Sequence, residues 1–550
     1  MLNTNPNKTL LFFFILAVIL FVPAYFFNLG MVQLIRDEAI RAIVAFEMLQ
    51  SGDFITPTIG GEPYLMKPPL FNWILAFFFK LSGSWSEIVI RMPVILSIIF
   101  FSLTIFLFTR KKFGNEIALV NALAFATYGR IIFYESLHGL IDMTFSWLIY
   151  LFFMLSWFLF EKKRYLLLFV VAYLIAAVSY LLKGLPSLYF VAVTLLVLFI
   201  QGRKFMMLLN WRHFVGIGLL ILIVGAYYFI YFSRNAIEPG QLMQVLTGEV
   251  TRRTVVRFGI WNTVLHFFTY PFETIYHFLP WSLMTILLVG KGSLKLIRGN
   301  KFLFYLLLVF FFNIIPYWTS PEAYARYVLM LIPVMMTILI VLYYHFKKEN
   351  TWTVNVVDYI FGAFIGVTGL AGIYFNFHPA TADLPWIMPV SILFLLSLAL
   401  ISYFYWKRQA YRLLWLAIAM VVIRIAFDFS IIPSWEKTHP VVATKALASD
   451  LAQETRDREL YVYWNPAFEP DPYFMYRYNN EIFTYYLSTA RGKITHVNTE
   501  RIAGALYLAQ WQHLEGFEYN VIKKIEPAWQ TPVLLIEFKE VSYSTSKQVH

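Results

Sequence analysis

The chain has 550 residues, of which 59% are hydrophobic, 19% aromatic and only 14% charged. Soluble proteins carry roughly 25% charged residues, so the composition excludes a water-soluble globular enzyme and points to a polytopic α-helical membrane protein. A net charge of +12 does not indicate nucleic acid, because the basic residues sit in short clusters between apolar runs, the pattern that sets membrane topology. The absence of cysteine removes disulfides, thiolate metal sites and a cysteine nucleophile.

In chain order, apolar runs long enough to cross roughly 30 Å of hydrocarbon as helices fall at about 9–28, 88–109, 117–134, 142–160, 166–182, 186–201, 213–232, 274–290, 302–318, 327–346, 355–374, 386–406 and 412–431, about thirteen in all. The first follows Lys8 and lacks an A-x-A-like cleavage site, so it reads as a retained signal anchor. The segment Lys183-Gly184-Leu185-Pro186 either joins or splits its neighbours. With the N-terminus inside, the cytoplasmic loops carry Arg110-Lys111-Lys112, Lys162-Lys163-Arg164, Arg203-Lys204, the stretch Lys291 to Lys301, Lys347-Lys348 and Lys407-Arg408. Each is basic, as the positive-inside rule expects.

An odd number of spans leaves the tail outside. Residues 1–432 are thus expected to form the transmembrane domain, and 433–550 a small soluble α/β domain in which ELYVYW (459–464) and TPVLLIEF (531–538) read as strands. The external loop 29–87 contains two apolar-periodic stretches, 38–50 and 70–81, bounded by Gly and Pro. They suggest short helices lying along the interface.

Several cations are not explained by topology. Lys67, Arg130, Lys183, Arg252, Arg253, Arg257 and Arg326 all map to external loops or external span ends. Cations at membrane depth are costly and point to function when they converge, and Arg forks and Lys point charges suit a phosphate or pyrophosphate. The bland alternative is that they snorkel to headgroups or pair with acids. Beside them lie Asp37-Glu38 after the first span and Asp142 at the start of the fourth, each able to act as a base or to be held ionised by cations. Asp37 also reads as an N-cap and first-turn acid of a helix starting near Ala39, and Asp142 as a cap of its span. No H-x-x-x-H or H-E-x-x-H spacing accompanies His138, His266 or His277. No cofactor is required, although a divalent cation is compatible with these residues.

The run RDEAIRAIVAFEMLQSGDFITPTIGGEPYLMKPPLFNW, residues 36–73, resembles the first external loop of bacterial GT-C glycosyltransferases of the aminoarabinose (lipid A) transferase and protein O-mannosyltransferase type. The shared features are the Asp-Glu pair, Ser51-Gly52-Asp53-Phe54, Pro57, Gly60-Gly61, Pro63-Tyr64 and Lys67-Pro68-Pro69-Leu70. GEVTRR (248–253), FLPWS (278–282) and RYVLMLIPV (326–334) add to it. The resemblance implies transfer of a sugar, with inversion, from a polyprenyl phosphate donor to an acceptor such as lipid A at the periplasmic face of the bacterial inner membrane. It implies that Lys67 with Arg253 or Arg252 contacts the donor phosphate. Asp37 and Asp142 match catalytic acids, with Glu38, Tyr64 and Arg326 as further candidates for substrate contact. Two departures, Met66 before the lysine and SPEAYARY (320–327) before the late span, mark a divergent sequence and leave sugar and acceptor open. A protein O-mannosyltransferase-like hydroxyl acceptor is one alternative. A transporter or flippase of lipid-linked sugars is another, although such folds usually carry repeats and paired broken helices near the midplane. A non-catalytic scaffold would not explain the ionisable residues of loop 29–87.

Overall fold

A computed structural model describes residues 6–64, 66–235, 255–465, 468 and 480–539. Nine described helices are long and apolar enough to cross a membrane: Asn7–Met31, Glu87–Phe113, Ile141–Glu161, Tyr165–Lys183, Trp211–Arg234, Lys301–Trp318, Trp352–Asn376, Ile387–Lys407 and Gln409–Thr438. A tenth span is added if Asn115–Ala126 and Gly129–Leu137, bent by 42° at their junction, count as one.

The remaining three expected spans are shorter or broken, for local reasons. Gly184 has φ +81° and separates Tyr165–Lys183 from Pro186–Gln201, a helix of 16 residues that proline opens without losing a needed N–H. The expected span 274–290 is not one α-helix: Val255–His277 stops before Pro280, and Trp281–Val289 winds as a 3₁₀ helix. Proline offers no N–H for a helix to continue through. The expected span 327–346 starts as a 3₁₀ turn, Ala325–Val328, and its α-helix is Ile332–Lys348, 17 residues long.

The chain divides into two compact units, residues 1–29 with 91–434, and residues 30–90 with 435–550. In the first, buried charges are neutralised in place. Arg424 and Asp428, both fully buried, pair at 2.7 Å, and the guanidinium also reaches Ser136 Oγ at 3.0 Å and the carbonyl of Ile132. Arg412 pairs with Asp358, whose carboxylate also accepts the Tyr343 hydroxyl at 2.7 Å. Gly129 donates its N–H to Leu279 O at 2.9 Å, and a Cβ there would lie 2.6 Å from that oxygen, so only glycine allows the approach.

The second unit contains the helices expected at 38–50 and 70–81, realised as Arg36–Ser51 and Leu70–Ser82. Thr58–Ile59 (β1) and Glu62–Pro63 (β2) form a hairpin between them. Both strands foreseen in the tail are present, within Leu460–Tyr463 (β3) and Val533–Phe538 (β7). With Val497–Asn498 (β4), Leu506–Ala509 (β5) and Tyr519–Ile525 (β6) they build a sheet of order β4-β3-β5-β7-β6. β3 runs parallel to β4 and β5, whereas β7 runs antiparallel to β5 and β6. Tyr463, Tyr507, Leu514, Ile536 and Phe538 pack one core of this sheet. Helices Pro440–Glu454 and Glu481–Arg491 pack on each other, and the latter also packs on Arg36–Ser51.

Breaking a buried ion pair leaves a charge with no counterion, at a cost of about 3–5 kcal/mol, whereas replacing both partners with apolar groups is often close to neutral. Arg424→Leu is therefore expected to lower the thermal midpoint of the detergent-solubilised protein strongly. Arg424→Leu with Asp428→Leu is expected to recover most of it.

Candidate active site

In the second unit, the chain around Lys67 is organised by an acid the sequence reading passed over. Glu47 lies mid-helix in Arg36–Ser51 and is 1% exposed. Its carboxylate accepts from Thr58 Oγ1 at 2.7 Å, Gly60 N at 2.6 Å and Gly61 N at 3.1 Å. Gly60 and Gly61 have φ of +64° and +79°, the left-handed pair that a tight two-residue hairpin demands. The tail closes on the same turn: Val497 N–H donates to Gly60 O at 2.8 Å, and a Cβ on Gly61 would lie 2.4 Å from His496 Nδ1. The signal in the sequence was a lone carboxylate in an apolar helix, AIVAFEML, thirteen residues before a Gly-Gly pair.

The hairpin leads directly to the candidate side chains. Tyr64 is buried, its hydroxyl accepting from Arg41 Nη2 while the guanidinium stands 5.0 Å from the ring centroid. Lys67 follows, half-buried, and Pro68-Pro69 lead into helix Leu70–Ser82. At the other end of the loop, Arg36–Ser51 begins two residues before the stretch expected at 38–50. Ile35, not Asp37, is the N-cap; Asp37 is an exposed first-turn acid, and the buried Glu38 accepts from Ile35 N at 3.1 Å. Arg36 bonds the buried Glu481 at 2.8 Å.

The first unit brings together three of the unexplained cations. Asp142 is 7% exposed in the first turn of Ile141–Glu161; Leu140 is the cap position, so the carboxylate does not cap its span. It pairs instead with Lys183 Nζ and lies 4.0 Å from Arg326 Nε. The Tyr327 ring sits against both cations, its centroid 4.6 Å from Lys183 Nζ and 5.6 Å from the Arg326 guanidinium. Arg130 bonds Glu135 at 2.8 Å and covers the Tyr134 ring at 3.8 Å. Glu135 was also passed over; it is fully buried, and its second carboxylate oxygen has no hydrogen-bond partner among the described residues. Among the described residues, the Asp142 carboxylate thus has two cations within 4.0 Å.

Arg252 and Arg253 lie outside the described residues, and Arg257 falls in helix Val255–His277. His138 Nδ1 lies 2.8 Å from Tyr134 O and His266 Nε2 3.2 Å from Tyr317 O. Among the described residues no three metal-ligating side chains come together.

Burial pushes the Glu47 carboxyl up to about 6, against the pull of Thr58 and the two glycine N–H groups. The folded state holds this proton more tightly than the unfolded chain, so the stabilising contribution is complete below about pH 4.5 and is lost as pH rises to about 6. The thermal midpoint of wild type relative to Glu47→Gln should fall across that window, by the equivalent of about 2 kcal/mol, and stay level above it.

Compared with known proteins, residues 66–229 match the family described as dolichyl-phosphate-mannose-protein mannosyltransferase. An uncharacterized protein of Aquifex aeolicus is 24% identical over 272 residues, 49% of this chain and 52% of that one; the match thus spans about half of the relative's length. Among solved structures, ArnT from Cupriavidus metallidurans bound to undecaprenyl phosphate superimposes with TM-score 0.66 at 16% identity, over 97% of this chain and 98% of that one. ArnT in the apo state gives 0.64 at 16%, over 95% and 97%. The resemblance read from the external loop is therefore matched by the fold of the whole chain.

Proposed function

We propose that this GT-C-type chain is an inverting membrane glycosyltransferase that takes a sugar from a polyprenyl phosphate and delivers it to an envelope acceptor. The observation that carries this reading is the Glu47-anchored hairpin that presents Tyr64 and Lys67, in a fold shared along nearly its full length with a protein crystallised on undecaprenyl phosphate. The sugar is one such as 4-amino-4-deoxy-arabinose and the acceptor one such as lipid A. The reaction face is periplasmic, in the bacterial inner membrane, with the N-terminus in the cytoplasm and the domain beyond residue 433 outside.

The chemistry follows from where charge develops. As the bond from the anomeric carbon to the phosphate oxygen breaks, its electron pair moves onto the departing phosphate. A cation fixed in advance near that oxygen lowers the barrier. Lys67, followed by two prolines that restrict its backbone, takes that role, shared by Arg253 or Arg252 on the strength of the loop resemblance. The acceptor oxygen forms the new bond from the opposite face of the sugar. A phosphate acceptor arrives ionised and needs only positioning, whereas a hydroxyl acceptor must lose a proton, for which Asp37 is the base. Asp142, held by Lys183 and Arg326, orients those two cations toward an anionic substrate group. Glu38 acts through the start of its helix, and Tyr64 through Arg41.

The match of residues 66–229 to the mannosyltransferase family supports a second reading, in which the acceptor is a protein hydroxyl. Reconstitution in liposomes with undecaprenyl phosphate sugars and either lipid A or hydroxyl acceptors, read by mass spectrometry of products, separates these. Lys67→Ala is expected to reduce transfer by roughly 100-fold or more, the scale for loss of a fixed charge at a developing anion. Asp37→Asn should impair transfer to a hydroxyl far more than to a phosphate. Full transfer by both variants would overturn the assignment, and donor crossing the bilayer without product would identify a flippase.

A further inference from the structure

Away from the residues assigned above, the first unit holds a cavity of about 560 Å³ between the Lys162–Arg164 turn and the segment Phe205–Leu209. Its polar half is Lys163, Arg164 and Arg212, with Tyr165 between them. The three cations make no ion pair among the described residues, and the neighbouring carboxylate, Glu161, is taken by Lys112 at 2.6 Å. Arg212 stands 5.3 Å from the Trp211 ring and reaches only Asn210 Oδ1, at 3.5 Å. The Tyr165 hydroxyl oxygen is buried with no hydrogen-bond partner among the described residues. A buried hydroxyl beside three unneutralised cations is an unfilled demand for an acceptor carrying negative charge.

The apolar half says what carries that charge. Leu166, Leu167 and Met207 line the rest of the cavity. Both leucines are exposed, as are Phe205, Met206 and Trp211 beside it. A free anion would gain nothing from such walls, whereas a lipid sets its phosphate against the cations and its acyl chains along the leucines. The two flanking turns are built alike. Lys163 and Arg203 take positive φ, and Arg164 N and Lys204 N reach back to Leu159 O and Phe199 O, at 3.0 and 2.8 Å. These are helix-ending motifs in which glycine is the usual residue; here cations occupy them. Topogenesis needs basic residues in the loop but neither a cavity nor an unsatisfied buried hydroxyl.

We propose that this groove binds the phosphate headgroup of an anionic membrane lipid, with Arg164, Lys163 and Arg212 holding the phosphate and the Tyr165 hydroxyl donating to it. Pockets of this make-up between membrane helices are suited to such headgroups.

The test uses the full chain in detergent, with native mass spectrometry reading retention of added phosphatidylglycerol, undecaprenyl phosphate, phosphatidylcholine or inorganic phosphate. Wild type should retain an anionic lipid well above phosphatidylcholine and inorganic phosphate. Arg164→Gln with Arg212→Gln should weaken that retention on the order of tenfold. Lys291→Gln with Lys295→Gln, which removes the same charge from exposed residues outside the cavity lining, should leave it nearly unchanged. Equal losses in the two double variants, equal retention of phosphatidylglycerol and phosphatidylcholine by wild type, or inorganic phosphate held as well as lipid would each overturn the proposal. The wild-type comparison stands even if a variant fails to fold.

Discussion

A charge withdrawn from water must find its partner inside the protein, and much of this molecule is arranged around that constraint. In a low-dielectric interior an uncompensated ion costs several kcal/mol. Arg424 is therefore matched by Asp428, Arg412 by Asp358 and Lys183 by Asp142. Each pairing ties residues of separate turns or helices together, so neutrality and helix packing are enforced by the same contacts. Around Asp142 the same constraint draws in two cations, Lys183 and Arg326, from separate elements of the chain.

Glu47 applies the constraint to backbone rather than to side chains. Among the described residues its carboxylate pairs with no cation; it is held by a hydroxyl and two N–H groups at the Gly60-Gly61 turn. The carboxylate satisfies the N–H of the buried Gly60, which would otherwise lack a partner, and the turn in exchange fixes the path of the chain to Tyr64. The tail sheet contributes through Val497 and His496, which close on the same two glycines. A domain whose sequence suggested no role thus helps hold the segment that presents the lysine.

The resemblance in the loop and the fold of the whole chain support each other because they draw on different information. Local spacing of Asp-Glu, Gly-Gly and Lys-Pro-Pro concerns some 38 residues, while the structural likeness to ArnT extends over 97% of the chain at only 16% identity. Few identical residues are needed to keep a helical membrane fold, since many apolar side chains fill the same space. The departures at Met66 and at SPEAYARY fall outside the α-helices, the latter running into the 3₁₀ turn Ala325–Val328.

Apolar length and the placement of basic clusters determined, from sequence alone, that the chain is a multi-pass helical protein with a small α/β tail, because the bilayer imposes span length and charge bias residue by residue. The two loop helices and both foreseen strands were legible for the same local reason: periodicity. Tertiary structure alone decided which spans are continuous, since Pro280 and Gly184 act through backbone geometry rather than hydropathy. It alone revealed Glu47 and Glu135 as organising acids, and Lys183 rather than a helix end as the partner of Asp142. Those pairings join residues 5 to 41 positions apart. Electrostatics acts through distance in space, which no pattern of neighbours along the chain encodes.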